Sequence, residues 1–581
     1  MCGIWALIGD TQNNVSPYWY QDFMRMKHRG PMYSCFQTYP DALVGFHRLS
    51  IMDPSFQSNQ PYVIENLVFI CNGEIYNYQE LNTKYKLGLN TKSDCQVIPL
   101  LYQRHDFNTF LSIIKEVKGE FAFVLLEFDD ANRLKYVVAG RDQVGVRPLY
   151  FGENEKNIIF SSEIKACRRF DGKMKEFPPG KIYSIDYRDR NEPPVLHDFS
   201  TIYDVVPIIE TTMHSQYQLL VGLRHTITDS IRRRLDADQP MAFLLSGGVD
   251  SSLVAAIATT LLNKGREYRP NCWTPVQTFC CGIRHKDGIE HEDGIEHKDG
   301  IRHEDGIEHE DGIRHSQCTG EGSDLKYARM VADWIHSTHT EVLFTEEEAL
   351  AAIDDVIYTT ETWDTTTIRA SVGQYLVSKY IAEKTDAKVL FVGEGPDEVC
   401  SSYLFNWYAP DPQQIHATAV DYVKNIHYYD VKRADRCIAR WGLEARVALL
   451  DPEFIKAYWA FPSAWRDPNY KGIEKYWLRE AFREDALLPD EVLWRKKEAF
   501  SDGISSQENS WFKIVQDYIK TKFGLDEREY YKMKFCEFFR EHRLDIIPGY
   551  WQPKWDASGN EVTEYVDPSA RTLSVYNEAS V

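Results

Sequence analysis

Over the first two hundred positions, apolar residues come in short runs closed by turn-forming residues, as at 67–71, 121–128 and 157–161. Runs of that length with such boundaries predict strands. A polar stretch containing Pro and Thr, from Pro207 to Ser215, then separates this half from a different pattern. Positions 241–245, 278–281 and 389–392 predict short parallel strands, and 253–262 carry apolar residues at helical spacing until Gly265. The first half therefore predicts an α+β fold of packed sheets with flanking helices. The second predicts an α/β fold, a doubly wound parallel sheet.

Between the strand at 241–245 and the following helix lies Ser246-Gly247-Gly248-Val249-Asp250-Ser251-Ser252. Glycines there let backbone approach a ligand, and the free N–H groups of the new helix favour an anion. The lysine of a G-x-x-x-x-G-K-[ST] loop is absent. The order Ser-Gly-Gly-x-Asp-Ser-Ser resembles instead the pyrophosphate loop of ATP pyrophosphatases, which cleave ATP between its α and β phosphates. A bare Gly-Gly turn is the bland alternative.

A chain of 581 residues predicts two to four domains. Its net charge of −21 argues against a nucleic-acid partner, which would need a basic face. No apolar run is long enough to span a bilayer, and the apolar stretch 4–8 ends at Gly9-Asp10 with no basic residue before it, unlike a signal peptide. A cytoplasmic location is the expectation. Twelve cysteines without a Cys-x-x-Cys pair fit free thiols in a reducing compartment.

Cys2 stands apart because it follows Met1 and precedes Gly3. Removal of Met1 would leave a thiol beside a free α-amine, which titrates near neutrality and can act as the thiol's own base. Start of a buried strand is the bland reading. Further along come Lys27-His28-Arg29-Gly30-Pro31, His47-Arg48-Leu49-Ser50-Ile51-Met52, Asn72-Gly73-Glu74, Ser93-Asp94, Gly119-Glu120-Phe121 and Gly140-Arg141-Asp142. In this order they resemble a class II glutamine amidotransferase domain, a layered αββα N-terminal-nucleophile hydrolase, over residues 1–208. The resemblance implies Cys2 as nucleophile and Asn72 with Gly73 as the oxyanion hole. It also implies a glutamine site of Arg48, Leu49, Ser50, Ile51, Met52, Asn72, Gly73, Glu74 and Asp94. Arg48 suits a carboxylate, and Glu74 with Asp94 an ammonium. Met32 departs from the family's usual Asp after Arg-Gly-Pro, a change expected to affect a turn.

In the second half, Glu361-Thr362-Trp363-Asp364 with Thr366-Thr367-Ile368-Arg369, the loop Gly393-Glu394-Gly395-Pro396-Asp397-Glu398, Trp441-Gly442-Leu443-Glu444-Ala445-Arg446-Val447 and Trp494-Arg495-Lys496-Lys497-Glu498 narrow the resemblance. Residues 209–540 are similar to the ATP-pyrophosphatase domain of glutamine-hydrolysing asparagine synthetases. That implies L-aspartate, L-glutamine, ATP and water giving L-asparagine, L-glutamate, AMP and diphosphate, through a Cys2 thioester and β-aspartyl-AMP. The implied ATP site is Leu244, Ser246, Gly247, Gly248, Asp250, Ser251, Ser252, Cys281, Val392 and Gly393, with Asp250 and Asp397 as Mg²⁺ ligands. Thr366, Thr367 and Arg369 are expected to hold aspartate, Lys497 to steady phosphate charge and Glu394 to take a proton from ammonia. Val392 stands where the family usually has Ser. The expected partners are small-molecule substrates, with no nucleic acid or membrane, and a homodimer is compatible with this reading.

Residues 282–317 form six hexapeptides from GIRHKD to GIRHSQ. One isoleucine per unit buries too little to offset ordering, so an exposed loop is the plain reading. Metal capture by His285, His291, His297, His303, His309 and His315 is the sharper one, with interference at the ATP site a further hypothesis. An irregular tail is expected over 541–581. Two rival functions are a β-lactam-forming relative, against which Cys2, Arg48, Asn72 and Asp94 argue, and a metal-binding scaffold, against which both catalytic sets argue.

Overall fold

The computed structural model describes residues 1–9, 17–188, 193–205, 213–264, 275–284, 322–498, 503–505, 510–569 and 571. The expected linker at 207–215 and the repeat beyond Arg284, with all six of its histidines, lie wholly or largely outside them.

Two six-stranded antiparallel sheets build the N-terminal half. One runs, in spatial order, Lys173–Glu176, Tyr150–Glu153, Asn157–Ser161, Gly3–Gly9, Ala42–Arg48, Tyr33–Tyr39. The other runs Val195–Asp198, Lys181–Asp186, Leu134–Arg141, Gly119–Phe128, Leu67–Ile75, Tyr62–Ile64. Strand alternation decides how they stack. Ile4, Ala6 and Ile8 share a core with Val68, Ile70, Val124 and Leu126 between the sheets. Trp5 and Leu7 point the other way, into a core with Phe23 of the helix Pro17–Met24. On the far side Phe69, Cys71, Phe123 and Leu125 pack with Leu101 and Phe110 of the helices Val97–Arg104 and Phe107–Ile113. Layering is thus helix, sheet, sheet, helix, and burial on both faces explains why these strands read as continuous apolar runs.

The C-terminal half is a five-stranded parallel sheet, ordered Thr338–Thr345, Gln277–Arg284, Met241–Leu244, Val389–Phe391, Glu444–Arg446. From Met241–Leu244 the chain adds two strands on one side and later two on the other. The order reverses between Met241–Leu244 and Val389–Phe391, and ligands bind beyond the carboxyl ends of strands at such a point. Both the Ser246 loop and the Gly393 loop leave the sheet there. Residues 541–569 form little regular structure, yet Trp551 and Trp555 are buried against Phe405.

Candidate active sites

Cys2 immediately precedes the strand Gly3–Gly9, and its nitrogen donates to Asn72 Oδ1 at 2.9 Å. Its Sγ lies 3.7 Å from Leu49 O, and Arg29 Nε donates to Cys2 O at 2.9 Å. Burial pushes the thiol's pKa up, while the N-terminal ammonium and Arg48 pull it down. Met1 is 1% exposed, with its amine 3.4 Å from Glu444 Oε2. Asn72 Nδ2 is buried with no hydrogen-bond partner among the described residues. That spare donor sits on the same carboxamide that accepts from the Cys2 nitrogen, which suits an oxyanion. Neighbouring Gly73 is required by close approach, since a Cβ there would sit 2.2 Å from Glu120 O.

Arg48 ends the strand Ala42–Arg48 and is wrapped by the loop after it. Its Nη1 donates to Ser55 O at 2.8 Å and Asn59 Oδ1 at 2.7 Å, its Nη2 to Met52 O at 3.3 Å and to Asp53 O. These partners are neutral, so a buried guanidinium keeps a charge that a substrate carboxylate can balance. Ser50 Oγ is buried and unpartnered beside it. Met32 reaches this segment, with Sδ 3.3 Å from Ser50 N, so it contacts the stretch that follows Arg48 as well as a turn.

Glu74 and Asp94 are buried together. Burial, then the Asp94 charge, drives the Glu74 carboxyl well above its ordinary value, and burial takes Asp94 up to about 6. Two acids so placed favour a bound cation. Arg446, from the edge strand of the parallel sheet, stands 3.7 Å from Glu74 Oε2.

A second site is a cleft where the parallel sheet reverses order. Gly247 has φ +70° and would drive a Cβ to 2.4 Å from Tyr327 Cβ, so only glycine fits. The helix Val249–Lys264 starts at this loop with its N–H groups towards the cleft. Ser246 Oγ and Ser251 Oγ are 3.1 Å apart, and Gly393 packs directly on the Ser251 backbone. Leu244, Phe279, Cys281, Val377 and Val392 line an apolar wall. Val392 N–H donates to Arg446 O at 3.2 Å, so only its side chain and carbonyl are offered to a ligand.

Charges converge at the polar end. Lys475 Nζ bonds Asp250 and lies 2.6 Å from Asp397 Oδ1, while Lys497 Nζ is 2.6 Å from Asp397 Oδ2. Burial would raise the Asp397 carboxyl, but the two lysines outweigh it and hold it far below normal. Burial raises Asp250 despite Lys475. Asp250 Oδ1 is buried without a hydrogen-bond partner. Two carboxylates sharing one ammonium, with an oxygen to spare, fit Mg²⁺ completed by phosphate oxygens. No cluster of three or more His, Cys, Asp or Glu among the described residues forms a closed metal site.

Glu394 accepts from Gln374 Nε2 at 2.8 Å and is 3.5 Å from Arg433 Nη2; burial raises its carboxyl. Gln374 Oε1 and Arg433 Nε are buried and unpartnered.

The expected aspartate residues are placed differently. Thr367 Oγ1 and N bond Asp364, capping the helix Thr365–Lys384, and Thr366 Oγ1 is buried without a partner. Arg369 is 3% exposed and committed to Glu527 at 2.9 Å and Asp567 at 3.0 and 2.9 Å. None of the three lines the cleft. Gln374 does, seven residues and about 10 Å further along the same helix face. The sequence reading missed Gln374, Arg433, Lys475 and Arg495. Helical spacing from Thr367 could have found Gln374, whereas Lys475 arrives in a left-handed backbone conformation, φ 58°, with no local signal.

The chain matches the asparagine synthase family over residues 222–414 and 409–558 and the glutamine amidotransferase domain over 1–203. It is 36% identical to the glutamine-hydrolysing asparagine synthetase of Cricetulus griseus and 35% to those of Bos taurus and Homo sapiens, over all of both chains. It belongs to the family of glutamine-hydrolysing asparagine synthetases. Within a member of this family, the layered half carries the amidotransferase match and the parallel sheet the synthase match. Among the described residues no helix is long and apolar enough to cross a membrane.

Proposed function

We propose that the protein makes asparagine from aspartate, with glutamine as nitrogen donor and ATP as co-substrate. The observation that carries this is the pairing of Cys2 and the unpartnered Asn72 donor in one half with the Ser246–Asp397–Lys497 cleft in the other. Removal of Met1 frees the Cys2 α-amine. The Cys2 α-amine then takes the thiol proton. The thiolate attacks the glutamine carboxamide, Asn72 Nδ2 and the Gly73 backbone bind the oxyanion, and ammonia leaves with the proton. Arg48 takes the glutamine carboxylate, Glu74 and Asp94 its ammonium, and the segment 49–52 forms the bed. Water hydrolyses the thioester to glutamate.

In the cleft, the Ser246–Ser252 loop holds the phosphates, and Leu244, Cys281, Val392 and Gly393 frame the adenosine. The aspartate β-carboxylate displaces pyrophosphate from the α-phosphate, giving β-aspartyl-AMP. Lys497 and Lys475 steady the departing charge. Mg²⁺ held by Asp250 and Asp397 would add neutralisation of the phosphates. Arg433 and Gln374, in place of Arg369, bind aspartate. Ammonia attacks the acyl carbon, Glu394 accepts its proton, and AMP leaves.

The test is product analysis with purified protein, glutamine, aspartate and Mg-ATP. Asparagine, glutamate, AMP and pyrophosphate in equal amounts support the reading. ADP with inorganic phosphate, or no asparagine, contradicts it.

A further inference from the structure

Arg571, four residues after Asp567, reaches back to Glu498 of the cleft lining. Arg571 Nη1 donates to Ser510 Oγ at 3.0 Å, and its Nη2 to Glu498 Oε1 at 3.0 Å and Ser505 O at 3.3 Å. Its side chain is only 7% exposed. The other Glu498 oxygen accepts from Arg495 Nη2 at 3.1 Å and from Ser323 Oγ. Arg495 in turn donates to Ser246 O at 3.3 Å and to Asp324 Oδ1 at 3.1 Å, and stacks 4.1 Å over the ring of Tyr327, whose backbone and Cβ pack on Gly247. Charge-assisted bonds thus run from Arg571 through Glu498 and Arg495 to the first residue of the phosphate loop.

Four residues earlier the chain is tied down a second time. Asp567 accepts two bonds from Arg369, at 3.0 and 2.9 Å, and one from Gln516 at 2.9 Å. Arg369, a poor candidate for aspartate, therefore has a partner that explains its burial. Between these anchors and the sheet lies the Arg495–Glu498 stretch, which is neither helix nor strand. Its shape depends on side-chain bonds, and Lys497 is carried on it.

Electrostatics favours the same arrangement. Two carboxylates, Glu498 and Asp324, share Arg495. Burial raises Asp324 to about 7. Burial would raise Glu498 too, but Ser323, Arg571 and Arg495 together keep it below the ordinary glutamate range. Arg571 is the second guanidinium that lets both acids face one arginine.

We propose that Arg571 is a positioning residue for adenylation, acting through Glu498 to hold Arg495 and Lys497 against the Ser246–Ser252 loop. This rests on the reading of the cleft as the ATP site. It gives the end of the chain a role in ATP use and none in glutamine hydrolysis.

The experiment compares full-length wild type, Arg571→Ala and Arg571→Lys for ammonium-dependent asparagine and pyrophosphate formation, with glutaminase rate as internal control. Loss of one buried charge-assisted bond predicts an ATP KM raised about ten-fold in Arg571→Ala. Glutaminase should stay within about two-fold, because no glutamine-site residue is touched. Arg571→Lys should recover part of the loss. In Arg571→Ala the acidic limb of asparagine formation should move to higher pH, since Glu498 loses a counter-charge, a change that mere loosening of the fold would not produce. An ATP KM and pH profile equal to those of an active wild type overturn the inference alone. A wild type that releases no pyrophosphate overturns both it and the reading of the cleft. If Arg571→Ala loses both activities together, Arg571→Lys decides: raised ATP KM with intact glutaminase supports the inference, and equal losses overturn it.

Discussion

Arg446 Nη2 stands 3.7 Å from Glu74 Oε2, so an edge residue of the parallel sheet faces the acid pair of the amidotransferase half. Arg446 also pairs in register with Phe391, one residue before Val392 and two before Gly393 of the cleft. One strand pair therefore separates the two sites.

This contact makes Arg446 a counter-ion for Glu74. Burial, Asp94 and Glu444 raise the Glu74 carboxyl, and Arg446 is the leading influence lowering it. In Arg446→Met the pKa of Glu74 should rise further. In the proposed mechanism Glu74 meets the glutamine ammonium, which requires its carboxylate form, so activity should fall as pH drops through that pKa. The acidic limb of glutamine hydrolysis should shift to higher pH and glutamine KM should rise. Glutaminase pH profiles of wild type and variant check this, and superimposable limbs contradict it.

Asn72→Ala removes the unpartnered donor beside Cys2. Glutaminase kcat should fall by about 10² to 10³, the usual cost of losing one oxyanion donor. Ammonium-dependent asparagine formation should be unchanged, as steady-state assays with the two nitrogen sources would show.

Arg369 and Arg433 should separate cleanly. Arg369→Ala leaves Glu527 and Asp567 without their shared buried cation, a loss of about 3–5 kcal/mol in unfolding free energy. Arg433→Ala should instead raise aspartate KM. Urea unfolding together with aspartate titrations checks both, and a larger aspartate KM effect in Arg369→Ala would restore the sequence-based assignment.

Stability should fall on the acid side. Burial lowers His47 and His427 to about 4 from an ordinary 6.5, so both are neutral in the fold. Below 6.5 the unfolded chain binds protons that the native protein refuses. Their contribution is complete above pH 6.5 and is lost as pH falls towards 4. The urea midpoint should therefore be lower at pH 4.5 than at pH 7.

Much of this was legible in the sequence because it is local. Strands at 67–71, 121–128 and 241–245 are buried on both faces and read as apolar runs, and the Gly247 turn announces itself by its glycines. The structure lengthens these runs, to Leu67–Ile75 and Gly119–Phe128, and adds Thr338–Thr345 and Glu444–Arg446 to the sheet. Glu444-Ala-Arg is too short and polar to look like a strand, and it becomes one only through pairing with Val389–Phe391. The partners of Arg369 were not legible for a related reason. A guanidinium beside threonines looks like a carboxylate site, and the carboxylates it meets in the fold, Glu527 and Asp567, are 158 and 198 residues away. Lys475 and Arg433 reach the cleft by tertiary packing, which no spacing encodes.

If two chemistries on one chain share ammonia, asparagine formation by wild type and Cys2→Ala, each supplied with aspartate and Mg-ATP plus either glutamine or ammonium, will separate them. The expected result is asparagine from wild type with both donors and from Cys2→Ala with ammonium alone. Asparagine from Cys2→Ala with glutamine, or none from either protein with ammonium, would contradict the two-site account.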